Sequence, residues 1–387
     1  MTNTSGNLKH QYSIRIIKDI HDPALAHHWK KLEDETDCFP QMYYEWCEPW
    51  WRLQSGNLQL HIVVVIDENK NIVGIAPMCI EKKFGLRILR SLPTRSVDFY
   101  SFIIQADSQA SEISSVIVDY LKTFVSWNVV HLFNVNNKSF SWNTLREAGF
   151  FAKSLTDIIV ADFQDMSFEK YISTLSQKNR YHFRNKLRKL YREGEVSLTC
   201  FEDGAGYIAH VDEIKHIYND RWADDYALHP DDIYYQFRHE AVQALCKKNK
   251  VALFVLRLNN KMISFRLGFM HKNIFYEWKS AHDPQLDEFS PGLLITGKII
   301  QEYISRGFTH YNFMVGDYPY KRSWAPQGAD STNYEVFARG RSMHARLYLK
   351  YRLEWRDKLK NIYHRLLENR RVRIINRWVQ TKFKRMQ

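Results

Sequence analysis

The chain has 387 residues, enough for two domains and an appendage, because single cores rarely grow beyond about 250–300 residues. Hydrophobic residues make up 45% and aromatic residues 14%, which excludes a disordered or low-complexity chain. The net charge of +12 is concentrated at one end: from Ser342 onward 14 basic residues stand against three acidic ones, so residues 1–341 hold only +1. That distribution argues against a nucleic-acid-binding body and for a basic tail.

No apolar run approaches the roughly 20 residues of a membrane-spanning helix. The N-terminus lacks the basic-then-apolar pattern of a secretory signal, so a cytoplasmic protein is expected. Five scattered cysteines without a C-x-x-C pair predict reduced thiols and no metal site.

Two segments look alike. Residues 60–80, "LHIVVVIDENKNIVGIAPMCI", read as strand, polar turn, strand, and so do residues 250–270, "KVALFVLRLNNKMISFRLGFM". Each is followed by another strand-like run, "DFYSFII" at 98–104 and "NIFYEWKSA" at 273–281. A helix comes next in each case, at 109–126 and 291–306, and then a short strand at 129–135 and 310–315. The ordered match predicts a duplicated β-hairpin–β–α–β unit.

Between the copies, residues 167–194 read as helix and end at Gly194. Phe183, Leu187 and Leu190 form its apolar stripe. Arg180, Arg184 and Arg188 form a basic one, either a solvated face or a guanidinium ladder beside an anionic ligand.

The helix of the second copy opens with "FSPGLLI". Ser290 suits the N-cap and Pro291 the first helical position. Gly292 is unfavourable in a helix by roughly 1 kcal/mol relative to alanine, which a phosphate touching the bare N–H groups would explain. An ordinary capped helix explains the stretch as well. In the tail, Trp355, Leu359, Ile362 and Leu366 keep helical spacing. Val372, Ile375, Val379 and Phe383 extend the stripe among basic residues, as a helix lying on an anionic membrane would require; a packed helix with a solvated end is the alternative.

The order of elements in the second half resembles the GNAT superfamily of acyl-CoA N-acyltransferases. "FSPGLLI", followed by "YNFMVGDYPYKRSW", resembles its tandem branch associated with cellulose and exopolysaccharide biosynthesis, related to the Fem-type peptidoglycan aminoacyltransferases. "SQKNRYHFRNKLRKL" and "SVDFYSF" resemble that branch too, and the likeness covers roughly residues 40–340. It implies an α/β (α+β) fold of two tandem GNAT-like mixed-sheet domains. Residues 1–165 would form an N-terminal lobe without a donor site, 166–341 the acyltransferase domain, and 342–387 the basic helical tail. It also implies an acyl-CoA co-substrate, acetyl-CoA first, cradled by Ser290, Gly292, Leu293 and Leu294, with Met314 on the splayed strand. The loop departs from the usual Q/R-x-x-G-x-G/A: only Gly292 and Gly297 fall near it, which leaves aminoacyl-tRNA open as donor.

Acyl transfer needs a deprotonated acceptor, a polarised carbonyl and a proton for the leaving thiolate. Tyr320, with Tyr318 beside it, is the candidate acid. Asp317 reads as a base or as a turn residue after Gly316, Lys321 as charge near the oxyanion or a surface lysine, and Trp324 as a sugar-stacking face or core. Strand alternation places Glu277 and Lys279 on one face, with Glu277 the second candidate base or a plain salt bridge. His282 could serve likewise or end a strand. The resemblance puts Asp98 near the acceptor, and Arg180 and Arg184 are candidate substrate contacts. No Ser–His–Asp pattern stands out, which favours direct transfer.

The expected function is direct N- or O-acyl transfer to a sugar, polysaccharide or cell-envelope precursor, with a small-molecule or glycan acceptor. Peripheral membrane contact is expected through residues 370–387 at the inner face of the membrane, and no specific nucleic acid. A Fem-like aminoacyl-tRNA-dependent transferase and a non-catalytic accessory of a membrane-bound polysaccharide synthase are the rivals.

Overall fold

The computed structural model describes residues 11–356 apart from 37, 95, 106–108 and 223–232, together with 358 and 362. The apolar stripe and basic residues expected at 370–387 lie outside the described residues.

The first half contains β1 (Ser13–Ile17), α1 (Pro23–Glu35), α2 (Tyr44–Gln54), β2 (Gln59–Leu60), β3 (Ile62–Ile66), β4 (Ile72–Ala76), β5 (Met78–Lys83) and β6 (Leu86–Ser91). It continues with β7 (Ile103–Ile104), α3 (Ala110–Leu121), β8 (Val129–Asn136), α4 (Phe140–Glu147) and β9 (Phe151–Asp162). The second half begins with α5 (Phe168–Thr174), α6 (Gln177–Glu193), β10 (Val196–Phe201), α7 (Gly204–Trp222) and α8 (Ile233–Cys246). It proceeds through β11 (Val251–Leu258), β12 (Lys261–His271), β13 (Ile274–His282), α9 (Pro291–Ser305), β14 (His310–Val315), α10 (Pro319–Trp324) and β15 (Ala329–Arg339), with α11 (Met343–Lys350) after it.

One four-stranded sheet has the order β1-β3-β4-β7, and an eleven-stranded sheet runs β10-β11-β12-β13-β14-β9-β15-β8-β6-β5-β2. The duplicated unit is visible in this order. In the second half β10 to β13 run antiparallel and β13 then pairs with β14 in parallel. In the first half the same path is interrupted: β2 with β3, β4 with β5, and β6 with β7 each take the place of one long strand. β6 pairs with β8 in parallel, and Tyr100 bridges Val135 in parallel. The expected match of "DFYSFII" to β13 is therefore corrected. It covers only the end of an interrupted strand that begins at Leu86, because the chain bends from one sheet into the other.

Each half sends its last strand to the other. β9 pairs with β14, β15 with β8, and the two pair with each other, so the eleven-stranded sheet is continuous across both halves. Tight hairpins fix the register. Asn259 and Asn260 close β11–β12, and Lys272 and Asn273 close β12–β13, all four with positive φ as such two-residue turns require.

The helical stretch at 167–194 is two helices, broken at Leu175 and restarted by Ser176, whose hydroxyl accepts from Asn179 N–H at 3.2 Å. Phe183 and Leu190 are buried as expected. One face of the second-half sheet carries Phe254 and Phe275 against α9; the other carries Val255, Phe265 and Phe269 in a core that extends into the first half.

Candidate active site

β13 and β14 hydrogen-bond only over Ile274–Tyr276 and His310–Asn312, and then part. β13 stays with β12 as far as His282, while β14 stays with β9 as far as Val315. A cavity of about 1070 Å³ occupies the opening and is lined by residues of both halves. Two bulges shape its walls. Met314 on β14 has φ +58°, and Asn134, at the corresponding place on β8, has φ +57°. Met314 gives its N–H to Asn312 Oδ1 at 2.8 Å.

A third bulge lies on β13. Gly268 pairs with Glu277 but Leu267 pairs with Lys279, which leaves Trp278 without a counterpart. The expectation that Glu277 and Lys279 share a face is therefore wrong, since the extra residue turns them to opposite faces. Glu277 lies on the α9 side, with Arg266 and Ser280. Lys279 lies on the side of α7 and α8, where its ammonium stands 5.7 Å from the ring centre of Tyr218. The cavity is thus lined by residues from both faces of the sheet.

On the α9 side, Gly292 lines the cavity; a side chain there would start 3.3 Å from Arg266 Nη2 and 3.4 Å from His282 Nδ1. Arg266 is buried, donates to Gly292 O at 2.8 Å and pairs with Glu277 at 3.3 Å. Glu277 also accepts the Tyr311 hydroxyl at 2.5 Å. His282 shares a hydrogen with Asp287 at 2.7 Å, and burial lowers its pKa, which keeps the ring neutral near pH 7.

Residues 177–322 match the family model of the acetyltransferase (GNAT) domain. This stretch is a GNAT acyltransferase domain. The protein is thus an acyltransferase. Its fold is similar to that of FemX, at 12% identity and a TM-score of 0.57, covering 87% of this chain and 99% of FemX. L-PGS from Bacillus licheniformis is similar in fold at 13% identity and a TM-score of 0.54, covering 88% and 99% of the two chains. No curated protein matches the chain.

Within the GNAT domain, several expectations are corrected. Ser290 lines the cavity, but its hydroxyl does not cap α9. A 3₁₀ turn over Pro284–Phe289 delivers it in the left-handed conformation, and only its carbonyl accepts, from Leu293 and Leu294 N–H at 3.0 and 3.2 Å. Leu293 lines the cavity, whereas Leu294 is buried in the core. Gly297 is a packing glycine: a Cβ would fall 2.4 Å from Phe183 and 2.7 Å from Trp324. Asp317 is exposed and held in a bidentate pair by Arg322, which lowers its pKa and leaves it outside the cavity. Lys321 is buried beneath the end of β14. It lines the cavity, and its ammonium is taken up by the carbonyls of Phe313, Met314 and Val315 at 2.7, 3.3 and 2.7 Å, so it clasps the bulge. Trp324 is a core side chain against Phe183, with one edge on the cavity.

Arg180 and Arg184 do not reach the cavity. Arg180 donates to the carbonyls of Ser173 and Leu175 at the end of α5, and Arg184 pairs with Glu169 at the surface. Tyr320 does line the cavity, its ring 6.3 Å from that of Tyr318, and burial raises its pKa.

Across the sheet, Asp98 lines the same cavity. Gln41 Nε2 donates to its carboxylate at 3.0 Å and Gln41 Oε1 accepts its N–H at 2.7 Å, while burial raises its pKa. Arg266, Gln41, Arg221 and Arg238 were not singled out from the sequence. For Arg266 a signal existed, a lone arginine inside the apolar run "MISFRLGFM". Among the described residues none of the cysteines lines the cavity, and no group of three ligands could hold a metal.

Proposed function

We propose that the chain transfers an acyl group, acetyl first, from a CoA thioester to an amine or hydroxyl of a sugar or polysaccharide precursor. The observation that carries this reading is one cavity lined from both faces of the sheet. One mouth is the first turn of α9, with Gly292 open to it. The other holds Asp98 and the partly exposed Trp222 and Trp278, groups suited to a polar acceptor with an apolar face. Donor and acceptor then approach from opposite sides and meet where β13 and β14 part.

The transfer is direct. The acceptor nitrogen or oxygen bonds to the acyl carbon, the carbon–sulfur bond breaks, Asp98 takes the acceptor's proton and Tyr320 gives one to the thiolate. The carboxyl raised by burial is the stronger base, which suits Asp98 to the first of these roles. Glu277 is less suited, because Arg266 and Tyr311 already satisfy it.

The exposed basic face of α6, with Tyr181 and Tyr191 among its cations, supports a second reading in which aminoacyl-tRNA is the donor. Thermal stabilisation separates the two. A rise in Tm with acetyl-CoA and none with aminoacyl-tRNA supports the first reading. No shift with any CoA ester, together with a shift from aminoacyl-tRNA, supports the second.

A further inference from the structure

The acceptor side of the cavity holds charges of opposite sign that do not close on one another. Asp98 projects from the first half and is fixed by Gln41. Lys279, on β13, and Arg238, on α8, line the same space, and these two cations are the strongest charge influences on Asp98. Lys279 has no hydrogen-bond or ion-pair partner among the described residues. It touches only ring faces, with its ammonium 5.5 Å from the centre of Trp278 and 5.7 Å from that of Tyr218. Arg238 stands 5.7 Å from the same Trp278 ring. Burial and the neighbouring Arg238 hold the Lys279 pKa down to about 8.

A desolvated cation without a hydrogen-bonding anion is costly to keep, and so is a desolvated carboxylate. Two buried cations elsewhere among the described residues are answered, Arg266 by Glu277 and Lys321 by three backbone carbonyls. The acyl donor of the reading above lies on the α9 face, so it does not supply the missing partner.

We propose that Lys279 and Arg238 form an anion subsite for the acceptor, and that the acceptor is a sugar bearing a carboxylate or phosphate near its nucleophilic amine or hydroxyl. The anionic group sits on Lys279 and Arg238, the nucleophile faces Asp98, and the edge of Trp278 supports the ring. A neutral sugar would leave the Lys279 charge unanswered and is therefore bound weakly. This subsite rests on the acyl-CoA reading, because it assigns the mouth opposite the donor to the acceptor.

Three probes that share one ring and one amine test it: glucosamine, glucosamine 6-phosphate and 2-amino-2-deoxyglucuronate. Calorimetry on the full chain, with acetyl-CoA titrated separately, is the measurement. Expected is binding of at least one anionic probe about tenfold or more tighter than glucosamine, the usual scale for a hydrogen bond to a charged group. The better anionic probe tells carboxylate from phosphate. Lys279→Met should abolish the preference and Lys279→Arg should keep it, both with wild-type far-UV circular dichroism. Equal binding of the three probes, no binding of any, or a preference that survives Lys279→Met overturns the subsite. Failure of acetyl-CoA to bind would instead overturn the donor reading, whatever the sugars do.

Discussion

Arg266 and Glu277 form a buried ion pair, Nε to Oε2 at 3.3 Å, and through it the first turn of α9 is tied to the bulged strand beside the cavity. The guanidinium reaches Gly292 O on one side and the carboxylate on the other. A shift of either strand would therefore move the part of the cavity proposed to take the donor.

Removing one partner of such a pair strands the other charge, at a cost of about 3–5 kcal/mol. Glu277→Gln should lose about 3 kcal/mol in urea unfolding by that reasoning, and should also weaken acetyl-CoA binding through Arg266. Arg266→Met combined with Glu277→Leu should recover most of the stability but not the binding. An unchanged urea midpoint for the single variant would show that the pair is neither buried nor coupled in solution.

How much of this was legible in the sequence follows the range of the forces involved. Hairpins, helix α9 and the repeat are local patterns, and "NNK", "SPG" and alternating apolar residues mark them. The exchange of β9 and β15 between the halves is a long-range pairing that no local pattern encodes. The bulge at Trp278 was equally hidden. One unpaired residue reverses the faces of Glu277 and Lys279, yet "YEWKSA" reads as uniform alternation. Asp317 and Lys321 were found by motif, but a motif does not say whether Arg322 or three carbonyls will occupy their charge.

Gly292 separates stability from binding. Gly292→Ala should raise helix stability by up to roughly 1 kcal/mol, while its methyl crowds Arg266 and His282. Gly292→Val fills more of the mouth and should weaken CoA-ester affinity at least about tenfold, or about 1.4 kcal/mol, in a chain that still folds. Calorimetry with circular dichroism on the same sample checks it. Undiminished affinity in the folded valine variant would remove α9 from the donor site.

Tyr320 and Asp317 give opposite expectations within one short segment. Tyr320→Phe deletes a proton donor at the cavity and should lower kcat about 100-fold, within the usual range for acid–base groups, with donor Kd nearly unchanged. Asp317→Asn breaks only the exposed pair with Arg322 and should leave kcat within about twofold, as surface pairs contribute little. Stopped-time thiol release measures both. A larger effect at Asp317 than at Tyr320 would reverse the assignment.

The basic tail is tested by truncation. A chain stopped at Asn369 lacks Val372, Ile375, Val379 and Phe383 with their flanking cations, and each cation near an anionic surface contributes about 1 kcal/mol. Co-sedimentation with phosphatidylserine vesicles should fall on truncation and with added salt. Salt-independent binding, or equal binding by both chains, would rule out an electrostatic anchor.

Lys279 predicts an unusual pH dependence. Its pKa falls to about 8 in the folded chain from an ordinary value of 10.5, so between these values the unfolded chain binds more protons and stability rises with pH. Below about 8 the folded state carries the half-buried ammonium at full cost; above 10.5 both states are neutral and the cost is gone. Lys279→Met should therefore stabilise the protein at pH 7 and do so progressively less toward pH 10.5. Lys321 shares the same range, with its pKa also lowered to about 8, so only the difference between variant and parent isolates Lys279. Urea unfolding of both chains at pH 7, 9 and 10 gives that difference. A gain from the methionine that is constant across pH would mean the substitution acts by packing alone, and that Lys279 is not charged and desolvated at neutral pH.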